Sequence, residues 1–444
     1  MRVHFISIGG AVMHNMALAL HKKGFDVTGS DDEIYEPAKS RLAVAGILPA
    51  ENGWFPEKIT PNLDFVILGM HARKDNPELI KAQELGVKVY SFPEYVYQST
   101  KDKKRIVVGG SHGKTTTTAM ILHALKHTGK KFDYLVGSIL EGFDTMVGLD
   151  DESEVAVLEG DEYLSSAIDL RPKFHLYHAH VGIITGVAWD HINVFPTYDL
   201  YKEQFATFMK QLPADGSLIY CKADADLQDL VQTVQPKAKL IGYDAPEYFV
   251  DGKLTHVVID NEYYNLQIVG KHNMQNMMAA MHACASVGVS RAIFMQAMTK
   301  FKGTAKRLEI LKENENGIVF RDFAHAPSKL KATIEAVKSQ YPTQKLIAVY
   351  ELHTYSSLNK AFLPHYHHTM QKADIAFVLF SEHALQMKKL PPLSIDEVAN
   401  GFGNSVKVFT NQNELRQAIL AAYSGNEHIL LMSSGTFDGM DLAF

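Results

Sequence analysis

Short apolar runs rich in valine and isoleucine alternate with longer amphipathic stretches along most of the chain, and many of the runs close on glycine or a polar cluster. That alternation predicts an α/β protein in which helices return the chain between parallel strands. Residues 2–8 read as a strand ending at Gly9-Gly10, followed by a helix from about Val12 to Lys22. Gly24 marks its stop, and a second strand, Phe25–Gly29, ends in Ser30-Asp31-Asp32. The strand Phe65–Gly69 leads through the polar stretch Met70–Pro77 to a helix, Glu78–Glu84, and a strand, Val87–Ser91. A polar, basic linker spans Gln98–Lys104.

The next block opens with the strand Ile106–Val108, a glycine turn and an apolar helix. Two more apolar runs, Val155–Leu158 and Val181–Thr185, end in polar clusters. A helix over Leu200–Gln211, a β-like region over 243–270 and a long helix to Val287 follow, with Met274, Met277, Met278 and Met281 as packing residues. From about Arg307 the pattern alternates through Ile318–Phe320, Pro327–Gln340, Lys345–Leu352, Asn359–Lys372, Ile375–Phe380, Asp396–Ala399, Val406–Phe409, Glu414–Tyr423 and His428–Met432. This predicts another doubly wound parallel sheet. The expected division is a Rossmann-like domain over 1–102, a central phosphate-loop ATPase-like domain over 103–304 and a C-terminal Rossmann-like domain over 305–444.

Length, 444 residues, agrees with roughly three domains. A net charge of −6 argues against a nucleic-acid partner. Cys221 and Cys284 are the only cysteines, which fits a reducing compartment. No apolar stretch is long enough to span a bilayer and no signal-like h-region opens the chain, so a cytoplasmic location without membrane contact is expected. The run His365-Tyr366-His367-His368 reads as a wet helix face.

Chemistry concentrates at three strand ends. In GGSHGKTTTT (109–118) backbone N–H groups and a helix N-terminus would face one anion, with Lys114 reaching terminal phosphates and the Thr115 hydroxyl reaching Mg²⁺. The loop is one residue shorter than the common G-x-x-x-x-G-K-[ST] pattern, because Val108 stands where its first glycine belongs. Glu159, delivered at the end of an apolar strand, suits the same metal, and His191 follows the third strand. In the first domain Ala11 and His14 break the G-x-G-x-x-G fingerprint, though Asp31 lies where a ribose-reading carboxylate would. An NAD-linked oxidoreductase and a non-catalytic nucleotide-binding regulator are the readings from other classes. The broken fingerprint and the phosphate loop argue against the first. Lys114, Glu159 and His191, gathered at strand ends as phosphate and metal chemistry needs, argue against the second.

Taken in order, GGSHGKTTTT (109–118), EGDE (159–162), WDHIN (189–193), GKHNMQN (270–276), Arg307 in KGTAKRLE and RDFAHAP (321–327) make the chain resemble the Mur ligase family over its whole length. The resemblance implies an ATP-dependent ligase that builds the peptidoglycan stem peptide through an acyl phosphate, with ATP and Mg²⁺ as cofactors. It is greatest for ligases acting on UDP-N-acetylmuramate. DEYLSSAIDLRPKFHLY (161–177) favours the tripeptide L-alanyl-γ-D-glutamyl-meso-diaminopimelate as amine donor, with free L-alanine as the alternative. The chain departs from the family at Ala326, where a second histidine is common, and at 351–359, where expected arginines are missing.

The resemblance also implies roles. Gly110, Ser111, His112, Gly113, Lys114, Thr115 and Thr116 would hold the ATP phosphates. Asn273 and Asn276 would read adenine, Arg307 would clamp a phosphate across a hinge, Asp322 would accept from the ATP ribose, and His325 would orient substrate or ribose, with packing as its alternative role. Thr115, Glu159 and His191 would hold metal, and Lys114, His191 and Arg307 would be catalytic. Gly9, Gly10, Ser30, Asp31, His71 and Arg73 would bind the UDP-sugar, and His353 and Tyr355 the amine substrate. No carbamoylation is expected at Lys202 or Lys210.

Overall fold

The computed structural model describes residues 1–315 and 317–444. It has a three-domain α/β architecture whose residues gather into two compact units. One comprises 1–187, 202–243 and 279–297; the other comprises 188–201, 244–278 and 298–444. Among the described residues no helix is long and apolar enough to cross a membrane.

The first unit holds two sheets. The N-terminal sheet is all parallel, in the order Asp26–Ser30, Arg2–Ile6, Phe65–Leu68, Val89–Ser91. The strand order reverses between Arg2–Ile6 and Phe65–Leu68, the switch point at which open α/β sheets bind ligands beyond the strands' carboxyl ends. The first strand is shorter than expected because Ser7 adopts φ 68 and leaves the extended region. The N–H groups of Ser7 and Ile8 then donate to the Ser30 carbonyl (2.9 and 3.1 Å), which turns the chain toward Gly9-Gly10.

The second sheet runs Lys239–Tyr243, Ser217–Cys221, Val181–Ile184, Lys104–Gly109, Val155–Glu159, Asp133–Leu135, Val147–Gly148, with only the last strand antiparallel. Lys104–Gly109 is central, and Ile106, Val107 and Val108 are fully buried. Register pairs Val108 with Glu159 and Gly109 with Ile184, so Glu159 and Thr185 emerge beside the turn that follows. The helix Lys114–His127 buries every residue from Thr115 to Leu122, as a helix enclosed on several sides does.

In the other unit a six-stranded sheet has the order Glu309–Glu313, Ile318–Asp322, His428–Met432, Leu346–Leu352, Ile375–Phe380, Lys407–Phe409. Both faces are covered. Phe320, Ala348, Tyr350 and Leu430 pack into one core, while Val319, Ile347, Val349 and Leu431 pack into another. This explains the continuous apolar runs. The expected all-parallel sheet needs correction: Glu309–Glu313 pairs antiparallel with Ile318–Asp322. Its residues are mostly exposed, so it carries no alternating signal. The expected helix over Asn359–Lys372 is also corrected, to a 3₁₀ segment, Lys360–Tyr366. Pro364 lacks the N–H that an α-helix would need there. His365, His367 and His368 stand on the exposed side of this stretch while Tyr366 is buried. Residues 248–266 form a three-stranded antiparallel sheet, Tyr248–Asp251, Leu254–Ile259 and Glu262–Leu266.

Candidate functional site

In the first unit the phosphate loop leaves the central strand at Gly109. Gly110 has φ +131, and a Cβ there would stand 2.1 Å from Thr185 Oγ1, so only glycine fits. Gly113 caps the helix in the left-handed region at φ 76. The turn is braced by the neighbouring strand: Ser111 N–H donates to the Gly186 carbonyl at 3.0 Å, and Thr185 Oγ1 donates to the His112 carbonyl.

Lys114 points back over the loop. Its ammonium donates to the Gly110 carbonyl at 2.7 Å and to Glu162 Oε2 at 2.8 Å. Burial acts to lower this ammonium's pKa. The carboxylates of Glu162, Asp161 and Glu159 outweigh it, and Lys114 stays protonated well above the ordinary lysine range. Thr115 Oγ1 donates to Glu159 Oε1 at 2.8 Å, and Gly137 N–H donates to Glu159 Oε2 at 2.6 Å. Burial, with Asp161 nearby, raises the Glu159 carboxyl. Thr116 is buried one residue on. Lys173 pairs with Asp161 at 3.0 Å. The roles of Asp161, Glu162 and Lys173 as partners of this cluster were not singled out from the sequence; the acidic run after Glu159 was the available signal.

The same unit carries the residues expected at the UDP-sugar. Asp31 Oδ2 accepts from Gly9 N–H at 2.7 Å, which ties the end of the second strand to the glycine turn. Burial, opposed by that hydrogen bond, raises Asp31 to about 6. Gly10 caps the helix Ala11–Lys22, and its carbonyl lies 2.8 Å from His14 Nδ1. Ser30 is fully buried, 3.4 Å from Lys58 Nζ. His71 and Arg73 follow the third strand, both exposed, and Arg73 forms a two-point pair with Asp75 at 2.9 and 2.8 Å. Sequence reading also missed a clasp: Asn15 Oδ1 accepts from Arg41 Nη1 at 2.9 Å and from Met146 N–H at 3.0 Å.

In the second unit Asn273 and Asn276 lie on one face of the helix Lys271–Ala285, Asn276 donating to Asn273 Oδ1 at 3.3 Å. Arg307 stacks over the Phe323 ring at 4.9 Å. Asp322 ends its strand with both oxygens engaged by the chain: Oδ2 accepts from Leu308 N–H at 2.9 Å and Oδ1 from Ala324 N–H at 2.7 Å. His272 feels Asp322 and Arg307, and burial lowers its pKa. His191 adopts φ 55, with its N–H donating to Asp190 Oδ1 at 2.7 Å. His325 Nδ1 faces the Phe323 carbonyl at 2.9 Å. His353 lies 3.7 Å from Glu351, whose carboxylate accepts from Ser433 Oγ and from Phe437 N–H, the latter at 2.8 Å. Tyr355 is partly exposed on the same segment. Lys114, Thr115 and Glu159 thus share one unit, whereas His191, Arg307, Asp322 and His325 belong to the other.

Among the described residues no group of three or more His, Cys, Asp or Glu side chains is arranged to hold a metal unaided. Magnesium characteristically uses one or two carboxylates and completes its octahedron with phosphate oxygens and water, so the oxygen donors Thr115 and Glu159 suit it in kind.

Three family models match in order: "Mur ligase family, catalytic domain" over residues 2–104, "Mur ligase middle domain" over 108–284, and "Mur ligase, glutamate ligase domain" over 306–435. The chain is 28% identical over 450 residues to the UDP-N-acetylmuramate--L-alanyl-gamma-D-glutamyl-meso-2,6-diaminoheptandioate ligase of Escherichia coli (strain K12), covering 99% of this chain and 96% of the relative. It is 30% identical over 389 residues to the UDP-N-acetylmuramate--L-alanine ligase of Caldicellulosiruptor bescii, covering 84% and 82%. The crystal structure of the UDP-N-acetylmuramate-alanine ligase of Thermotoga maritima superposes with a TM-score of 0.72 at 22% identity, covering 99% of this chain and 97% of that one. With these matches spanning nearly its whole length, the chain belongs to the Mur ligase family, enzymes that use ATP to form carbon–nitrogen bonds.

Proposed function

We propose that the chain joins the lactoyl carboxylate of UDP-N-acetylmuramate to the amine of L-alanyl-γ-D-glutamyl-meso-diaminopimelate, with conversion of ATP to ADP and phosphate. The observation that carries the ATP half is the phosphate loop with Lys114 protonated over it and Thr115 bonded to Glu159. The amine donor rests on the match along 99% of the chain to a relative named for that tripeptide, together with the stretch 161–177. The 30% identity to an alanine-adding relative favours a second reading, in which free L-alanine is the amine.

In this reading residues 1–102 take the UDP-sugar, 103–304 take ATP and 305–444 take the amine, in a cytoplasmic enzyme. A carboxylate is a poor electrophile, so its oxygen attacks the γ-phosphorus and ADP leaves, giving an acyl phosphate. The amine nitrogen then attacks the carbonyl carbon, loses a proton, and phosphate departs. Two anions meet in the first step, and cations must offset their repulsion. Lys114 exchanges Glu162 for the γ-phosphate, and Arg307 supplies a second cation. Thr115 and Glu159 would hold Mg²⁺, with His191 at a second ion; bound there, the metal neutralises phosphate charge. Asn273 and Asn276 read adenine, Asp322 accepts from the ribose, and His325 packs beside it. Gly9, Gly10, Ser30, Asp31, His71 and Arg73 hold the UDP-sugar, and His353 and Tyr355 contact the amine donor.

Mass spectrometry of a reaction containing UDP-N-acetylmuramate, ATP and the tripeptide tests this. A product heavier by the tripeptide less one water is expected. Its absence, with product formed only from free L-alanine, would replace the proposal by the second reading.

A further inference from the structure

Within the second unit a buried polar cluster surrounds Lys329, a residue that no motif assigns. Asp190 is almost fully buried. Its Oδ1 accepts from His191 N–H at 2.7 Å, and its Oδ2 lies 3.6 Å from Lys329 Nζ and 3.7 Å from His325 Nε2. Lys329 Nζ is 2.9 Å from His325 Nε2, while His325 Nδ1 faces the Phe323 carbonyl at 2.9 Å. An ammonium has only donors and a carbonyl only accepts. His325 must therefore be neutral, with its proton on Nδ1 and its Nε2 lone pair turned to Lys329.

Lys329 lies in the first turn of the helix Pro327–Gln340. A cation is unfavourable at that end of a helix dipole. Its side chain is only 16% exposed, against 6% for Asp190, so it is held toward the cluster instead of reaching into water. Natural chains break such a local rule mainly at functional or strained sites. The strained residue in this cluster is His191. That histidine has φ 55, a conformation few non-glycine residues adopt, and the Asp190 carboxylate holds its N–H.

We propose that Lys329 is a positioning residue: it fixes the Asp190 carboxylate and the His325 tautomer, and through Asp190 it holds His191 in its strained backbone conformation. The kinetic consequence rests on the function proposed above; the structural one does not. Two measurements on the full-length protein and its Lys329→Ala variant test it. The first is ATP-dependent phosphate release with UDP-N-acetylmuramate and the tripeptide, with and without ethylammonium. The second is the imidazole ¹⁵N spectrum of histidine-labelled protein at one pH, with His325 assigned through His325→Gln. Expected for Lys329→Ala is a kcat at least tenfold lower, a KM for ATP within threefold of wild type, partial recovery with ethylammonium, and a shifted His325 Nε2 resonance. A kcat within twofold of wild type, or equal loss in every parameter without recovery, would overturn the proposal. Should wild type release no phosphate with either amine, the proposed function fails. The spectrum then decides alone: an unmoved His325 Nε2 resonance overturns the positioning role, and a moved one upholds it.

Discussion

The ammonium of Lys114 lies 2.8 Å from Oε2 of Glu162, so the lysine over the phosphate loop already has a buried carboxylate partner. Both side chains are largely hidden from water, at 14% and 2% exposure. Removing one member of such a pair leaves an uncompensated charge, at a cost of about 3–5 kcal/mol. Lys114→Met is therefore expected to lower the thermal midpoint clearly, and Lys114→Met/Glu162→Gln to recover much of that loss. ATP-dependent phosphate release should fall by about 10²- to 10³-fold or more in both variants. Thermal melts and initial rates check the two halves separately; additive losses of stability would mean that the pair is not coupled.

Thr115 and Glu159 make a different prediction. Glu159→Gln keeps an acceptor for the Thr115 hydroxyl but removes the charge suited to a divalent ion. The Mg²⁺ concentration for half-maximal phosphate release should rise by about 10- to 100-fold. An unchanged Mg²⁺ requirement would remove Glu159 from the metal site.

Gly110 tests the loop's geometry. Gly110→Ala places a methyl 2.1 Å from Thr185 Oγ1 at φ +131. It should cost about 1–3 kcal/mol in backbone strain alone and weaken ATP binding. Calorimetric titration with a non-hydrolysable ATP analogue measures the second effect.

Asp31 gives the protein a predictable pH dependence. Its carboxyl is raised from 3.8 to about 6, chiefly by burial. The folded protein therefore holds this proton more tightly than the unfolded chain. Asp31's contribution to stability is largest below 3.8, falls as pH rises from 3.8 to about 6, and is flat above. Asp31→Asn keeps an acceptor for Gly9 N–H and removes that slope. Its thermal midpoint, relative to wild type, should rise between pH 4 and 7. A constant difference across that range would contradict the buried carboxyl as its source.

Much of the fold was legible because burial on both faces writes itself into the chain. The runs at 106–108, 155–158, 181–184 and 429–432 are apolar since these strands are buried, and glycines and polar residues mark where they end. The antiparallel strand Glu309–Glu313 escaped because an exposed edge strand needs no apolar face. The 3₁₀ segment Lys360–Tyr366 escaped because its buried residues Phe362, Leu363 and Tyr366 also fit helical spacing. The candidate site was legible where one motif carries it, as at 109–118. Pairs such as Lys114 with Glu162, or Lys329 with Asp190, are made by tertiary packing between residues distant in sequence. No local pattern announces them.

The identity of the amine donor is the central claim and is measured most directly by initial rates of phosphate release. Purified enzyme, UDP-N-acetylmuramate and MgATP are held fixed, and the amine is either L-alanyl-γ-D-glutamyl-meso-diaminopimelate or free L-alanine. The account predicts a kcat/KM at least tenfold higher for the tripeptide. An equal or greater value for L-alanine would contradict it.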